Sequence, residues 1–170
     1  MRFRLFAAAV LAMAYAASGA MAAPAPRLAV QSLSQLSDLP YPFDADRDAN
    51  ADVAAAAARA KAEGKLLLID LGGNWCPDCR ILAGIMDLPE MKAFLAAHYV
   101  MVSVDVGHLD RNLQIPARYG VAQRLEAAPA VLIVDPKTSA LIDKGHILLF
   151  DDAQSNAPQA IAGWLAKWTK

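Results

Sequence analysis

The stretch Leu66-Leu67-Leu68-Ile69-Asp70-Leu71-Gly72-Gly73-Asn74-Trp75-Cys76-Pro77-Asp78-Cys79-Arg80 decides how the rest of the chain is read. Its opening run of four apolar residues fits a strand buried on both faces, and the glycine pair fits the end of that strand. After the cysteines, Ile81, Leu82, Ile85 and Met86 recur at helical spacing until Pro89. The order is therefore strand, turn, C-x-x-C and helix. That order puts the first sulfur at a helix N-terminus, where free N–H groups and the macrodipole stabilise a thiolate. Cys76 is the expected attacking thiol. Cys79, about one helical turn on, is placed to resolve a mixed disulfide formed at Cys76. Trp75 would shield one side of the pair and offer apolar surface to a substrate.

The whole chain has 170 residues, 16 Lys and Arg against 17 Asp and Glu, and a net charge of −1. That length suits one globular domain. The charge balance leaves no basic excess to neutralise phosphates, so nucleic acid is not an expected partner. Cys76 and Cys79 are the only two cysteines. Two cannot make the several bridges of a small secreted scaffold, nor fill a structural zinc site unaided.

At the N-terminus, Met1-Arg2-Phe3-Arg4 is followed by an uncharged apolar run from Leu5 to about Ser18, and then by Ala20-Met21-Ala22. A positive start, an apolar centre and small residues before the junction read as a secretory signal peptide over 1–22. The competing reading is a retained N-terminal anchor, since the uncharged run approaches a bilayer span in length. Cleavage predicts a mature protein without stable membrane insertion, periplasmic or secreted, where a disulfide can persist.

Residues 23–47 mix Pro24, Pro26, Pro40 and Pro42 with Ser and Gln. They read as an extended lead-in, tacked down by Tyr41 and Phe43. The domain proper is expected over 48–170. Asp48 or Asn50 can cap an Ala-rich helix through Val53 to Glu63, with Gly64 in the left-handed position after it. Met91, Phe94 and Leu95 mark a second helical stretch towards His98, and Tyr99 to Val106 a Val-rich strand. Asp110 can cap a short helix reaching Tyr119-Gly120. Ala130 to Val134 is another buried strand, with short edge strands at Leu141-Ile142 and Ile147 to Phe150. Asn156 as cap and Pro158 in the first turn start a last helix with Ile161, Leu165 and Trp168 on its apolar face. Trp164, Met86, Met91 and Met101 read as core.

These residues resemble the thioredoxin family over about residues 50–168. Asp70 matches the family's buried carboxylate, Arg118-Tyr119-Gly120-Val121 the approach to its cis-proline, and Ala128-Pro129-Ala130 that proline itself. The resemblance implies an α/β fold of three layers, α/β/α, around a central mixed sheet. It also implies a thiol–disulfide oxidoreductase that needs no organic cofactor, because the electrons reside in the Cys76–Cys79 pair. Asp70 would accept the proton of the resolving thiol, and Ala128 with Pro129 would align an extended substrate strand. Protein thiols or disulfides are the implied substrates, a redox partner protein is required, and a monomer is expected.

Several residues depart from thioredoxin itself. Pro77-Asp78 stands where thioredoxin has Gly-Pro, so the motif is similar to that of thioredoxin-related proteins carrying Trp-Cys-Pro-Asp-Cys. Asp78 disfavours a nearby thiolate while Arg80 favours it. Met101 falls where thioredoxin has a lysine, which leaves Asp70 without that partner and more readily protonated. Extra residues between Val121 and Pro129, including Arg124 and Glu126, predict a different substrate choice. The direction of electron flow depends on thiolate stabilisation, which the motif does not fix.

Two other readings of the cysteines compete. A purely structural disulfide would close too small a loop to constrain the unfolded chain much. A periplasmic copper chaperone or a non-catalytic binding module would use the same fold without turnover. A chaperone would pair two Cys with one His, and His146 is the most plausible of the three histidines. His98 and His108 read as surface residues, and no metal is expected in the primary reading.

Overall fold

The structure is a computed structural model that describes residues 21–121, 125–147 and 157–169. Residues 1–20 of the expected signal peptide, Arg124, and the expected strand residues 148–150 lie outside the described residues.

Helix α1 spans Ala49–Glu63. Asp48 is its N-cap, accepting the N–H groups of Asn50 and Ala51 at 3.0 and 3.1 Å. Gly64 ends it at φ 68° with open space around its Cα, so the glycine is required by backbone conformation and not by crowding. Strand β1, Leu66–Gly72, follows, buried along its whole length. Helices α2, Pro77–Met86, and α3, Pro89–His98, are divided at the expected proline. Next come β2 at Tyr99–Asp105, the short α4 at Gln114–Arg118, β3 at Ala130–Asp135, β4 at Ala140–Leu141 and α5 at Pro158–Lys167.

The sheet order is β2-β1-β3-β4, with β1 parallel to β2 and antiparallel to β3, and β3 antiparallel to β4. The period-2 alternation of strands then divides the core in two. Leu67, Ile69 and Leu71 of β1 point to one face and pack with Val53, Ala56 and Ala60 of α1 and Ile115 of α4. Alanines at this face let α1 approach the sheet closely. Leu66 and Leu68 point to the other face, with Leu82 and Ile85 of α2, Met91 and Leu95 of α3, and Ile161 and Leu165 of α5. The result is the expected three-layer α/β/α arrangement. Asp70 falls on the α2 side by the same alternation.

Four local expectations are corrected. Asp110 does not cap a helix: its Oδ1 accepts the His108 N–H in a turn, and α4 begins later, after Leu113. Ala157, not Asn156, is the N-cap of α5, with no side-chain cap bond; Pro158 in the first turn holds the helix start instead. Met101 is 40% exposed rather than core, because β2 is an edge of the sheet. Ile142 is not within β4, although its N–H donates to the Ile133 carbonyl at 2.8 Å. There the chain turns away and Asp143, fully buried, accepts the Ile133 N–H at 3.0 Å, so a side chain continues the ladder where the backbone cannot.

The lead-in is extended apart from a 3₁₀ turn at Leu33–Gln35. It is fastened to α5: Gln159 accepts the Leu28 N–H at 3.0 Å and donates to the Pro26 carbonyl at 2.9 Å. Leu28 itself is buried in the core beneath.

Candidate functional site

Cys76 is the N-cap of α2 and Pro77 its first residue, where a missing N–H costs nothing and a fixed φ favours the helix. The Cys76 Sγ accepts the Cys79 N–H at 3.2 Å, so the first sulfur lies where the helix's unpaired donors converge. The Cys76 N–H in turn donates to the Gly73 carbonyl at 3.0 Å, closing the turn between strand and helix. The two cysteines are joined as a disulfide with Cα atoms 5.3 Å apart. Cys79 is fully buried, and Cys76 nearly so.

A second loop reaches the same sulfur. The Ala128–Pro129 bond is cis, and the Ala128 carbonyl oxygen lies 3.5 Å from the Cys76 Sγ. Thus residues more than fifty positions apart meet at the reactive atom.

Asp70 is fully buried on the α2 side of β1, opposite Ser103 in the β1–β2 register. Neither carboxyl oxygen has a hydrogen-bond partner among the described residues. Burial pushes the group up to about 7, since an unpaired charge in the interior loses its hydration. A cavity of about 480 Å³ reaches it, bordered by Ser103 and Met101 of β2 and by Pro40 and Pro42 of the lead-in. Arg59, Lys65 and Lys92 also border this cavity, and burial is the cause of the shift at Asp70.

Trp75 is 47% exposed beside the pair. Its indole N–H donates to the Gly107 carbonyl at 2.7 Å, and its ring stacks on His108 with centroids 4.7 Å apart. The indole also lies over the Cα of Gly73, where a Cβ would collide with it. His108 and Leu109 face Leu125 and Glu126 across a groove of about 420 Å³. Asp78, in the first turn of α2, is half-buried with one oxygen unpartnered among the described residues.

Arg80 points away from this groove to the lead-in. Its Nη2 and Nε donate to the Leu39 and Pro40 carbonyls at 2.8 and 3.3 Å, and its guanidinium stacks 3.8 Å over the Tyr41 ring. Phe43, 3% exposed, lies in one small buried cluster with the cysteines, and its ring meets the Cys79 sulfur beside Gly72. Asn74 holds it there by accepting the Phe43 N–H at 3.1 Å and donating to the Phe43 carbonyl at 2.6 Å. Asn74 and His108 were missed by sequence reasoning. Asn74 lies inside the decisive stretch and could have been suspected; nothing in the sequence links His108 to Trp75.

His146 is exposed and lies against the Trp168 ring, 5.6 Å between centroids. Among the described residues no three His, Cys, Asp or Glu side chains gather in a manner that could hold a metal ion. Among them, too, no helix is long and apolar enough to cross a membrane.

This arrangement can make and break a disulfide: a sulfur at a helix N-terminus, a bonded second sulfur behind it, and a buried acid, pushed up to about 7, on the strand that leads into the pair. The chain is similar to a disulphide isomerase from Xylella fastidiosa Temecula1, at 31% identity over 76% of this chain and 98% of that one, with a TM-score of 0.66. A thioredoxin from Thermus thermophilus is 25% identical, covering 51% of this chain and 64% of that one, with a TM-score of 0.40. No curated protein sequence matches. The sequence profile of a family described as thioredoxin-like matches residues 48–136. The fold, the bonded cysteine pair and this match agree: the chain belongs to the thioredoxin-like family.

Proposed function

We propose that the protein is an exported thiol–disulfide oxidoreductase that exchanges disulfides with partner proteins through Cys76 and Cys79. The observation that carries this reading is the Cys76–Cys79 bond at the start of α2, with the Ala128 carbonyl 3.5 Å from the Cys76 sulfur. In the reducing direction, the Cys76 thiolate attacks a substrate disulfide, bonds to one sulfur and expels the other as a thiolate. Cys79 loses its proton to Asp70 and attacks the Cys76 sulfur. The substrate's remaining sulfur leaves as a thiolate and is protonated, the substrate has gained two electrons, and the Cys pair is again a disulfide. A dithiol partner protein restores the reduced pair.

Trp75, Ala128 and Pro129 hold the substrate: an exposed indole gives it apolar surface and the loop backbone gives it hydrogen bonds. Pro77 and Asp78 tune the first thiol from the first turn of the helix. The similarity to a disulphide isomerase supports protein disulfides as the substrates, met after export to the periplasm or beyond. Replacing Cys79 with Ser tests the reading, because it removes the resolving thiol. Cys79→Ser is expected to accumulate a reductant-sensitive mixed disulfide with a scrambled protein substrate, through Cys76; no such adduct with Cys79→Ser would contradict the proposal.

A further inference from the structure

Residues 39–43 lie outside the 48–136 stretch shared with the family, yet they are built into the site. Three separate devices hold them. Arg80 of α2 grips the Leu39 and Pro40 carbonyls and stacks on Tyr41. Leu39 lies over Gly84 of α2, where a Cβ would come within 2.8 Å of its side chain. Asn74, two residues before Cys76, takes both backbone hydrogen bonds of Phe43. The end of this strap is the Phe43 ring, and it converges with the Cys79 sulfur on one spot. A Cβ placed on Gly72 would lie 2.6 Å from the Phe43 Cζ and 2.9 Å from the Cys79 Sγ.

We propose that the 39–43 strap is a selectivity device for the cysteine pair, in which Phe43 is a positioning residue that closes the approach to Cys79 and leaves Cys76 as the one sulfur that an external thiol or disulfide can reach. This deepens the oxidoreductase reading and rests on it. The helix N-terminus stabilises a thiolate at Cys76 and not at the deeper position, so the encounter with an external partner is productive at Cys76. An apolar ring over the second sulfur excludes both water and competing thiols from it. Resolution then has one route: Cys79 attacks Cys76 from within, the bond to the partner's sulfur breaks, and that sulfur leaves with the electron pair. The polar clamps at Asn74 and Arg80 keep the ring in place without needing the strap to belong to a helix or strand.

Each single-thiol variant isolates one sulfur, since the chain has two cysteines. In Cys76→Ser, alkylation of Cys79 by N-ethylmaleimide is expected to be slow. Adding Phe43→Ala should speed it at least tenfold, and Phe43→Leu, which keeps apolar cover, should restore it to within about threefold of the parent. In Cys79→Ser, the same strap changes should alter Cys76 alkylation by less than twofold, so the ratio of the two rates separates selective cover from general loosening. Should Phe43→Ala fail to fold, Asn74→Ala, which removes the two clamp bonds and keeps the ring, is expected to speed Cys79 alkylation at least threefold. A change of less than twofold at Cys79, or an equal rise at both sulfurs, would overturn the proposal. These rates need no turnover, so an inactive protein with a selectively covered Cys79 would refute the redox reading and leave the strap standing.

Discussion

Asp70 faces Ser103 across the parallel β1–β2 ladder, fully buried, and neither of its carboxyl oxygens finds a hydrogen-bond partner among the described residues. A group in that position opposes folding whenever it is charged. Its folded value of about 7 stands well above the ordinary 3.8, so between those two values the folded state holds a proton that the unfolded chain has released. The contribution of Asp70 to stability is therefore least unfavourable below about pH 4, worsens as the pH rises towards 7, and is level above it. Asp70→Ala removes the penalty. In chemical denaturation at pH 8 the oxidised variant is expected to exceed the wild type by about 2 to 4 kcal/mol, with the difference shrinking towards pH 4. A difference independent of pH would show that the carboxyl is not the cause.

If Asp70 accepts the Cys79 proton, as proposed, the same carboxyl sets a pH dependence for exchange. Near neutrality a substantial fraction of it is ionised and able to take the Cys79 proton, whereas at pH 5 it is largely protonated and cannot. The rate at which a preformed mixed disulfide is resolved is expected to rise through an inflection near pH 7. Asp70→Asn should remove that inflection and slow resolution at pH 7 by about tenfold to a hundredfold. Rapid-quench measurement of adduct decay across pH 5 to 9 checks this, and an unchanged profile in the variant would assign the inflection to another group.

At Gly72 the strand, the strap and the disulfide meet. A methyl group there would sit 2.6 Å from Phe43 and 2.9 Å from the Cys79 sulfur, so one of them must move. Gly72→Ala is expected to cost about 1 to 3 kcal/mol in denaturant unfolding. The strap is the softer neighbour, so limited proteolysis in the 36–47 region should speed up in the same variant. Wild-type stability would show that the site has slack the close contacts deny.

Trp75 is expected to act in substrate affinity. Its ring is half exposed and braced by the Gly107 carbonyl and His108. Trp75→Ala should raise KM for a protein substrate about tenfold while changing reactivity towards a small disulfide by less than threefold, because the small molecule does not span the indole. Equal losses on both substrates would place Trp75 in the support of the cysteines instead.

Much of this architecture was legible because it follows from local pattern. The continuous apolar run at Leu66–Ile69 marked a central strand, the Cys76-Pro77 start marked a helix N-terminus, and Asp48 with Gly64 framed α1. Burial of Asp70 was readable from one acid closing an apolar strand. What escaped depended on long-range placement. Met101 looks like core, but its exposure depends on β2 being an edge, which no local period records. Asp143 carries no local signal of its role, which is to supply the hydrogen bond that β3 lacks once β4 ends. Asp110 has the right chemistry for a cap but stands in a turn before its helix. At the site, Tyr41 and Phe43 were visible as the strap's apolar anchors. The clamps that aim Phe43 at the disulfide, Asn74 and Arg80, act across 31 residues and about 40 residues respectively, and sequence spacing carries no trace of such pairings.

The central claim is that Cys76 is the sulfur that meets the substrate. Its most direct test is the steady-state reduction of a protein disulfide by the wild type and by Cys76→Ser under identical dithiol supply. The account predicts turnover by the wild type and a fall to the uncatalysed rate in Cys76→Ser; wild-type turnover retained in Cys76→Ser would contradict it.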